Sequence, residues 1–488
     1  MHFAARVALL CALAASTIAA AAPDDLSSLL ARMRARSGPV WSAHLTSSSH
    51  VTIGGESADL RSESSGVRFA SYQCSGDLCT GSYFDGERVF AININGTALP
   101  TSDGGDPFLR GERTIASLAF LDPEFTADGG IISDLGSVEI GGTRYRELLV
   151  ENGDATAMDV FVDPNSSTVR YLRDVNGDSS FEYLDYRPVG NGLYLPFEVM
   201  RNGALLERYD TRGETSDAFT APHGLVPRFS TGSASVATDP TQTIPIFPCT
   251  VQNVPTTCML DSGNSSLAIS VELAQRLQAP KVGSILVSGL GDYATDVVRV
   301  GALGVGNATF PPANYMVLHD IHRYGYDVVL GADVLAATTI SLDPLAHRIG
   351  FAAQLPSGGV SLPLEFQNFV PTVLVQLGNL GTQLALDTGD ESNINLDYDF
   401  YREHRALFEA QDSRPVSGVG GASVEIFGTI PRVSIGSLAL REQSIGATRR
   451  LHATAYGHLG AQFLSHFDVV LDYAAGLVHL VPTPSPHP

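Results

Sequence analysis

The second half of the chain contains one short motif twice, inside two stretches that match block by block. Asp261-Ser262-Gly263 corresponds to Asp387-Thr388-Gly389. Further matched blocks follow in the same order, about 129 residues apart: Gly289-Leu290-Gly291 with Gly418-Val419-Gly420, Val305-Gly306 with Ile435-Gly436, 329–335 with 458–464, and 340–343 with 469–472. Because coincidence does not readily produce matched blocks in one order, the pattern indicates an internal duplication.

Each Asp-Ser/Thr-Gly motif follows an apolar run typical of a buried strand and precedes a helix-like stretch. One such motif means little, because Asp and Gly are common turn residues. Two of them in matching halves favour carboxylates that meet at a pseudo-two-fold axis, where Gly263 and Gly389 allow the tight turns. Two adjacent carboxylates do not both ionise readily, so they share a proton and act as acid and base together. Asp261 and Asp387 are therefore the predicted catalytic pair.

The pattern over residues 244–482 is similar to the pepsin/retropepsin family of aspartic peptidases. That family has Asp-Thr/Ser-Gly in each lobe, then a glycine-containing hairpin flap, then a hydrophobic-hydrophobic-Gly element, here Leu330-Gly331 and Leu459-Gly460. The resemblance implies a mainly β, two-lobed domain, with lobe 1 at about 244–355 and lobe 2 at about 360–482. It also implies that Ser262 and Thr388 bond across to the opposite loop, and that no metal or organic cofactor is required.

The resemblance further implies flaps that cover a substrate. The flap candidates are Gly289, Gly291 and Tyr293 in the first half and Gly418 and Gly420 in the second. Ordinary surface hairpins are the alternative, since this is the commoner role of Gly-rich turns.

Two residues depart from the family pattern at the third position after each Asp. The family usually has a small or hydroxyl residue there, whereas this chain has Asn264 and Asp390. Uncompensated, the carboxylate of Asp390 would raise the pKa values around the pair. This favours either an acidic working pH or a site that has drifted from efficient catalysis. We interpret His452, His458 and His466 as surface or loop histidines, because the chain lacks a Gly-x-Ser-x-Gly nucleophile motif.

The N-terminus has the pattern of a signal peptide, predicted over residues 1–22. Arg6 precedes an apolar run at 7–15, and small residues follow at 19–22. The apolar run is too short to cross a membrane, and no other stretch predicts an integral membrane span. We therefore expect a secreted or periplasmic protein.

Four cysteines remain after the predicted signal peptide. An even count in an exported chain favours disulfides, and the spacing pairs Cys74 with Cys79 and Cys249 with Cys258. A metal site is the weaker alternative, because no Cys-x-x-Cys or His-x-x-x-His pattern accompanies them.

Residues 23–229 predict a β-rich accessory domain. An amphipathic helix at 24–36 precedes an antiparallel β meander. The region resembles the periplasmic lipoprotein-carrier (LolA/LolB-like) fold on Tyr83-Phe84-Asp85-Gly86-Glu87-Arg88-Val89 and Val162-Asp163-Pro164. The resemblance implies an antiparallel half-barrel around a helix, with a cavity for a lipid or peptide; an accessory domain of unknown role remains the alternative. Residues 230–243 predict a linker and 483–488 a tail, and 174–178 is interpreted as a polar hairpin turn instead of a calcium loop.

Two functions from different classes follow. The first is a secreted or periplasmic aspartic endopeptidase that hydrolyses the peptide bonds of a polypeptide substrate. The alternative is a catalytically weak or inactive peptidase-like binding protein of the cell envelope, which grips a peptide or lipid. In a third arrangement the N-terminal domain inhibits the cleft as a prosegment. A net charge of −22 argues against a nucleic-acid partner.

Overall fold

The computed structural model describes residues 25–53, 56–101, 106–154, 156–175, 179–288, 291–418, 421–449 and 455–483. The predicted signal peptide, Gly289, Gly420, His452, the turn residues 176–178 and the tail beyond residue 483 lie outside these ranges. The chain divides into two compact units: Met1–Val40 with Phe120–Leu206, and Trp41–Ala119 with Glu207–Pro488. Part of the predicted accessory domain, Trp41–Ala119, thus belongs to the same unit as the whole of the predicted peptidase-like domain.

Strands predominate among the described residues. The α-helices are α1 (Leu26–Ser37), α2 (Asp106–Ala116), α3 (Val271–Arg276), α4 (Ala332–Leu335), α5 (Tyr398–Glu403) and α6 (Ala461–Leu464). Short 3-10 helices occur at Val40–Ser42, Ala119–Leu121, Ile321–Tyr324 and Arg405–Leu407.

The strands of the N-terminal half are β1 (His44–Ile53), β2 (Glu56–Ser65), β3 (Arg68–Ser75), β4 (Leu78–Phe84), β5 (Val89–Ile92), β6 (Ala98–Pro100), β7 (Ile131–Ile140), β8 (Thr143–Glu151), β9 (Ala157–Asp163), β10 (Thr168–Asp174), β11 (Ser180–Pro188), β12 (Tyr194–Arg201), β13 (Ala204–Arg208), β14 (Thr211–Glu214), β15 (Arg228–Phe229) and β16 (Ala234–Ala237).

The strands of the C-terminal half are β17 (Ile246–Val251), β18 (Val254–Leu260), β19 (Ala268–Ser270), β20 (Lys281–Ser288), β21 (Asp292–Val300), β22 (Leu303–Val305), β23 (Ala308–Phe310), β24 (Ala313–Leu318), β25 (Val328–Leu330), β26 (Ile340–Asp343), β27 (Arg348–Phe351), β28 (Val360–Pro363), β29 (Glu365–Gln367), β30 (Val370–Leu377), β31 (Leu380–Leu386), β32 (Ile394–Asp397), β33 (Glu409–Gly418), β34 (Gly421–Ile435), β35 (Leu438–Thr448), β36 (Gly457–Leu459), β37 (Phe467–Asp472) and β38 (Leu477–Pro482).

The first unit combines α1 with a seven-stranded sheet in the order β13-β12-β11-β10-β9-β8-β7. The predicted N-terminal helix is confirmed: the carboxylate of Asp25 caps α1 by accepting from the backbone N–H of Ser28 at 2.7 Å. Gly38 ends the helix with a positive φ of 68°, where glycine is favoured. Leu29 and Met33 are buried on one face of α1.

A second seven-stranded sheet, β14-β1-β2-β3-β4-β5-β6, opens the second unit. Its consecutive strands pair antiparallel, as the predicted meander requires. Cys74 and Cys79 lie opposite each other on β3 and β4, and the predicted bridge between them is confirmed as a disulfide. The half-barrel arrangement of the accessory domain stays a prediction.

Two further sheets of the second unit share one strand order. The ten-stranded sheet contains β17-β18-β25-β19-β24-β21-β20, and the eight-stranded sheet contains β30-β31-β36-β32-β35-β34-β33. In both, the strand before the Asp motif pairs parallel with a short strand that ends in Leu-Gly. The duplicated sequence therefore folds into two sheets of the same connectivity.

A six-stranded sheet, β16-β27-β26-β37-β38-β28, contains strands from both repeats. β26 of the first repeat pairs antiparallel with β37 of the second, with Ile340 opposite Leu471. β16 lies within the predicted linker and pairs with β27, with Ala234 opposite Phe351. One continuous apolar core contains buried residues of both repeats.

Within the part of the chain that the structure describes, no helix combines the length and apolar character of a membrane span.

Candidate active site

Each Asp motif begins where a buried strand ends. The backbone N–H of Asp261 donates to the carbonyl of Leu330 at 3.0 Å, and that of Asp387 donates to the carbonyl of Leu459 at 3.0 Å. The glycines that follow these leucines permit the close approach: a Cβ at Gly331 would lie 2.2 Å from a backbone carbonyl oxygen, and a Cβ at Gly460 would meet another at the same distance. The Leu-Gly elements thus support the two loops from behind.

The residues after the two aspartates exchange hydrogen bonds across the repeats. The backbone N–H of Ser262 donates to Thr388 Oγ1 at 3.0 Å, and the N–H of Thr388 donates to Ser262 Oγ at 3.0 Å. Each hydroxyl in turn donates to the opposite strand, Ser262 to the carbonyl of Leu386 at 2.7 Å and Thr388 to that of Leu260 at 2.8 Å. Both side chains are buried, so these bonds fix the two loops against each other.

The carboxyl groups of Asp261 and Asp387 lie against the opposite loops. A Cβ at Gly263 would be 2.7 Å from the carboxyl oxygens of Asp387, and a Cβ at Gly389 would be 2.6–2.8 Å from those of Asp261. Each carboxylate also accepts from the glycine of its own motif, at 2.9 Å for Gly263 and 3.0 Å for Gly389. Burial, the charge of Asp387 and a hydrogen bond with it raise the pKa of Asp261 well above its usual value. Such a pair is more stable with one shared proton than with both carboxyl groups ionised.

His458 contacts this pair, and its interpretation as a surface or loop histidine is wrong. The residue lies on β36 with a largely buried side chain. Its Nδ1 is 2.9 Å from Asp387 Oδ2 and 3.6 Å from Asp390 Oδ2. The sequence repeat could have indicated the unusual position of His458, because the first half has Val329 at the equivalent place. His466 is exposed, in line with its interpretation.

Asn264 and Asp390 occupy equivalent backbone positions despite their different side chains. The carbonyl of Asn264 accepts from Ala332 N at 2.9 Å, and that of Asp390 accepts from Ala461 N at 2.7 Å. The extra carboxylate therefore leaves the loop geometry of the second repeat like that of the first. It lies beside His458.

The donor atoms of Asp387, Asp390 and His458 all lie within 4.8 Å of one another, a spacing that a cation can also occupy. Two carboxylates and one imidazole are fewer than the four ligands of a closed zinc site. The hydrogen-bond distance between His458 and Asp387 already accounts for their approach.

A loop from the N-terminal half binds behind the first Asp motif, which the sequence did not predict. This loop, residues 93–97, connects β5 and β6. Its side chains donate to the buried carboxylate of Asp333: Asn93 Nδ2 to Oδ1 at 2.7 Å, Asn95 Nδ2 to Oδ2 at 2.7 Å, and Thr97 Oγ1 to Oδ1 at 2.6 Å. Ser266 Oγ donates to Oδ2 of the same carboxylate at 2.6 Å.

The loop also binds the backbone of the first repeat. Asn93 donates to the carbonyl of Ser265 at 2.8 Å, and Asn95 both donates to the carbonyl of Asn314 and accepts from its N–H. Ser265 is four residues from Asp261, so residues 93–97 form part of the scaffold of the candidate site.

The flap candidates lie on equivalent hairpins. Gly291 directly precedes β21 and Tyr293 lies on it, in the hairpin β20–β21, while Gly418 pairs with Gly421 at the tip of the hairpin β33–β34. The ring of Tyr293 is half-buried and lies 5.9 Å from that of His319. Leu286 and Val424 are strongly exposed, one on each hairpin.

Cys249 and Cys258 lie on the paired strands β17 and β18 and form the second predicted disulfide. Cys258 precedes Asp261 on the strand that carries the first motif, so the bridge fixes the hairpin from which this motif extends.

Comparison with known proteins finds a family similarity in the first repeat. Residues 247–334 match the family model described as Aspartyl protease. No curated protein matches the chain. Among solved structures, a retropepsin-like aspartic protease from Rickettsia conorii is similar at 17% sequence identity, over 26% of this chain and 93% of that chain, with a TM-score of 0.21. The matched family segment extends from β17 through the first Asp motif and Leu330-Gly331 into α4, and the protein therefore contains an aspartic protease-like domain.

Proposed function

We propose that the protein is an exported aspartic endopeptidase whose active site is built from both repeats. The observation that carries the proposal is the close approach of Asp261 and Asp387 to each other's loops. The two loops are joined by hydrogen bonds from the backbone of Ser262 and of Thr388 to each other's hydroxyl group. A pair that shares a proton supplies an acid and a base at the same point, as the hydrolysis of an amide requires.

The pair would hold a water molecule between its carboxyl groups. One carboxylate takes a proton from the water as its oxygen attacks the scissile carbonyl carbon, and the other carboxyl protonates the carbonyl oxygen. The resulting diol breaks down when the C–N bond cleaves and a proton passes to the departing nitrogen. A polypeptide is the substrate class, and the hairpins β20–β21 and β33–β34 are the proposed flaps.

Export is part of the same proposal. The two cysteine pairs at disulfide distance favour an oxidising compartment. The signal-peptide pattern of residues 1–22 supplies the route.

The test replaces each carboxylate by its amide. Asp261→Asn and Asp387→Asn should each abolish cleavage of an unfolded protein substrate between roughly pH 3 and 7, the range in which carboxyl groups titrate. The matched controls are Asp343→Asn and Asp472→Asn, since these aspartates also occupy equivalent positions in the two repeats but cap turns through Ala346 N and Ala475 N. The controls should cleave like the wild type.

Undiminished cleavage by either site variant would refute the proposal. A wild-type protein that binds pepstatin and turns over no peptide would instead identify the binding protein of the cell envelope. A shorter active species after loss of the N-terminal region would identify that region as a prosegment.

A further inference from the structure

The two halves of the candidate site are equivalent in almost every contact, which makes their differences informative. The glycine contacts, the hydroxyl exchange and the backbone bonds to Leu-Gly all occur in matched pairs. Two of the differences lie beside the carboxyl pair itself: His458 replaces Val329, and Asp390 replaces Asn264. Both fall in the second half, and the two side chains face each other.

We propose that His458 is a positioning residue that makes the two carboxyl groups unequal: its Nδ1–H bond holds Asp387 as the base that takes the proton from water, and leaves Asp261 as the acid that protonates the carbonyl oxygen. This inference rests on the proposed peptidase function and deepens it. A third carboxylate, that of Asp390, lies 3.6 Å from the same Nδ1.

The geometry favours Asp387 as the main partner of the imidazole. Nδ1 carries one hydrogen at most, and it lies 2.9 Å from Asp387 Oδ2 against 3.6 Å from Asp390 Oδ2. Asp387 Oδ1 already accepts from Gly389 N at 3.0 Å, so each of its oxygens lies within hydrogen-bond distance of a nitrogen. Donors of this kind stabilise the charged form of a carboxyl group.

The environment of the Asp261 carboxyl group favours its protonated form. Asp261 accepts from Gly263 N, while burial and the charge of Asp387 favour its protonated form. A proton shared by the pair is therefore expected on Asp261. In the hydrolytic step this proton moves to the carbonyl oxygen, and the proton of the attacking water moves to Asp387, so the pair ends with the same number of protons.

Further acidic groups among the described residues interact with the pair or with its neighbours: Asp390, Glu391, Tyr326 and Tyr473. Burial and the charge of Asp261 raise the pKa of Tyr326. Burial and the charges of both Asp261 and Asp387 raise the pKa of Tyr473. Both phenols therefore stay neutral through the working range of a carboxyl pair.

The first repeat indicates which residue to substitute for His458 in the test. His458→Val installs the residue that the first repeat uses at this position, so the strand should accept it. His458→Asn keeps an N–H donor close to the place of Nδ1. The control is His479→Asn, since His479 is also a buried histidine of the second repeat, bonded to Ser361 and outside the candidate site.

The expected result is a change in the pH profile. His458→Val should lower kcat/KM by roughly tenfold to a hundredfold, the loss expected when a hydrogen bond to a charged group is removed. The acid limb of the profile, which reports a macroscopic ionisation of the pair, should move up by about one pH unit. His458→Asn should recover much of both effects, and His479→Asn should follow the wild type.

The proposal would be overturned if His458→Val had the same pH profile of kcat/KM as the wild type. It would also be overturned if His458→Asn folded but did not recover the activity that His458→Val loses. Activity lost in a chelator and restored by Zn²⁺ would also overturn it, because the three side chains would then serve a cation.

The ring nitrogen of His458 gives a readout that does not need turnover. In full-length protein labelled with ¹⁵N-histidine, the signal missing from His458→Val should be that of a protonated Nδ1, and Asp387→Asn should shift it. A wild type that shows this signal but cleaves no peptide would refute the peptidase function and the division of roles, while the hydrogen bond would stand. An unprotonated Nδ1 in an active enzyme would refute the positioning role alone.

Discussion

Ser262 and Thr388, 126 residues apart in sequence, each donate a backbone N–H to the other's hydroxyl at 3.0 Å. These two hydrogen bonds join the loop that carries Asp261 to the loop that carries Asp387. Disruption of either hydroxyl therefore acts on both loops at once.

Ser262→Ala should destabilise the protein and lower its activity together. The backbone N–H of Thr388 would lose its acceptor in a buried position, which costs about 1–3 kcal/mol. Urea unfolding and kcat/KM measure the two effects. Thr388→Ser keeps a hydroxyl and serves as the control, so equal stability of Ser262→Ala and Thr388→Ser would contradict this account.

Asp261→Asn should change the dependence of stability on pH. The folded state raises the pKa of Asp261, so it binds a proton more readily than the unfolded state, and stability is lost as pH rises from about 3.8 through the raised value. The amide cannot ionise and escapes this loss, which amounts to ~1.4 kcal/mol for each unit of the shift.

Thermal unfolding at pH 4 and pH 7 tests the sign of this effect. The melting temperature of Asp261→Asn relative to wild type should be higher at pH 7 than at pH 4. Asp472→Asn should show no such trend. A relative gain for Asp261→Asn at the lower pH would show that the ionised form is the one the fold prefers.

Asp333→Asn should weaken the attachment of residues 93–97. Asn93, Asn95 and Thr97 all donate to this buried carboxylate, and the amide would present an NH₂ group to some of these donors. We expect a loss of about 3 kcal/mol in the free energy of unfolding, since hydrogen bonds to charged groups contribute about 1.5–3 kcal/mol each. Chemical denaturation measures it, with Asp343→Asn as the control, and an unchanged midpoint would contradict the importance of the loop.

Replacing Cys249 and Cys258 by alanine should lower the free energy of unfolding by about 2–3 kcal/mol, because the unfolded chain gains freedom. The same double change at Cys74 and Cys79 is the comparison, since that bridge lies in the sheet of β1–β6. Denaturation curves of the wild type and of both double variants, recorded with and without a reducing agent, separate the contributions of the two disulfides. Equal curves for wild type and the Cys249/Cys258 variant in oxidising buffer would contradict the prediction.

The sequence predicted what lies close to a recognisable motif. Asp261 and Asp387 could be paired because each sits in a short motif repeated at one offset, and the helix α1 followed from local periodicity. The loop at 93–97 could not be predicted, because its partner Asp333 lies 240 residues away from Asn93 and the loop itself carries no repeat or motif. His458 carries no catalytic motif of its own, and its contact with Asp387 depends on the register of β36 against β31.

The six-stranded sheet has a consequence for the order in which the two repeats can assemble. β26 forms its pair with β37, so a nascent chain that stops before Asp472 lacks the strand against which the first repeat closes. One edge of β26 in the first repeat therefore stays unpaired until the second repeat has been synthesised as far as β37.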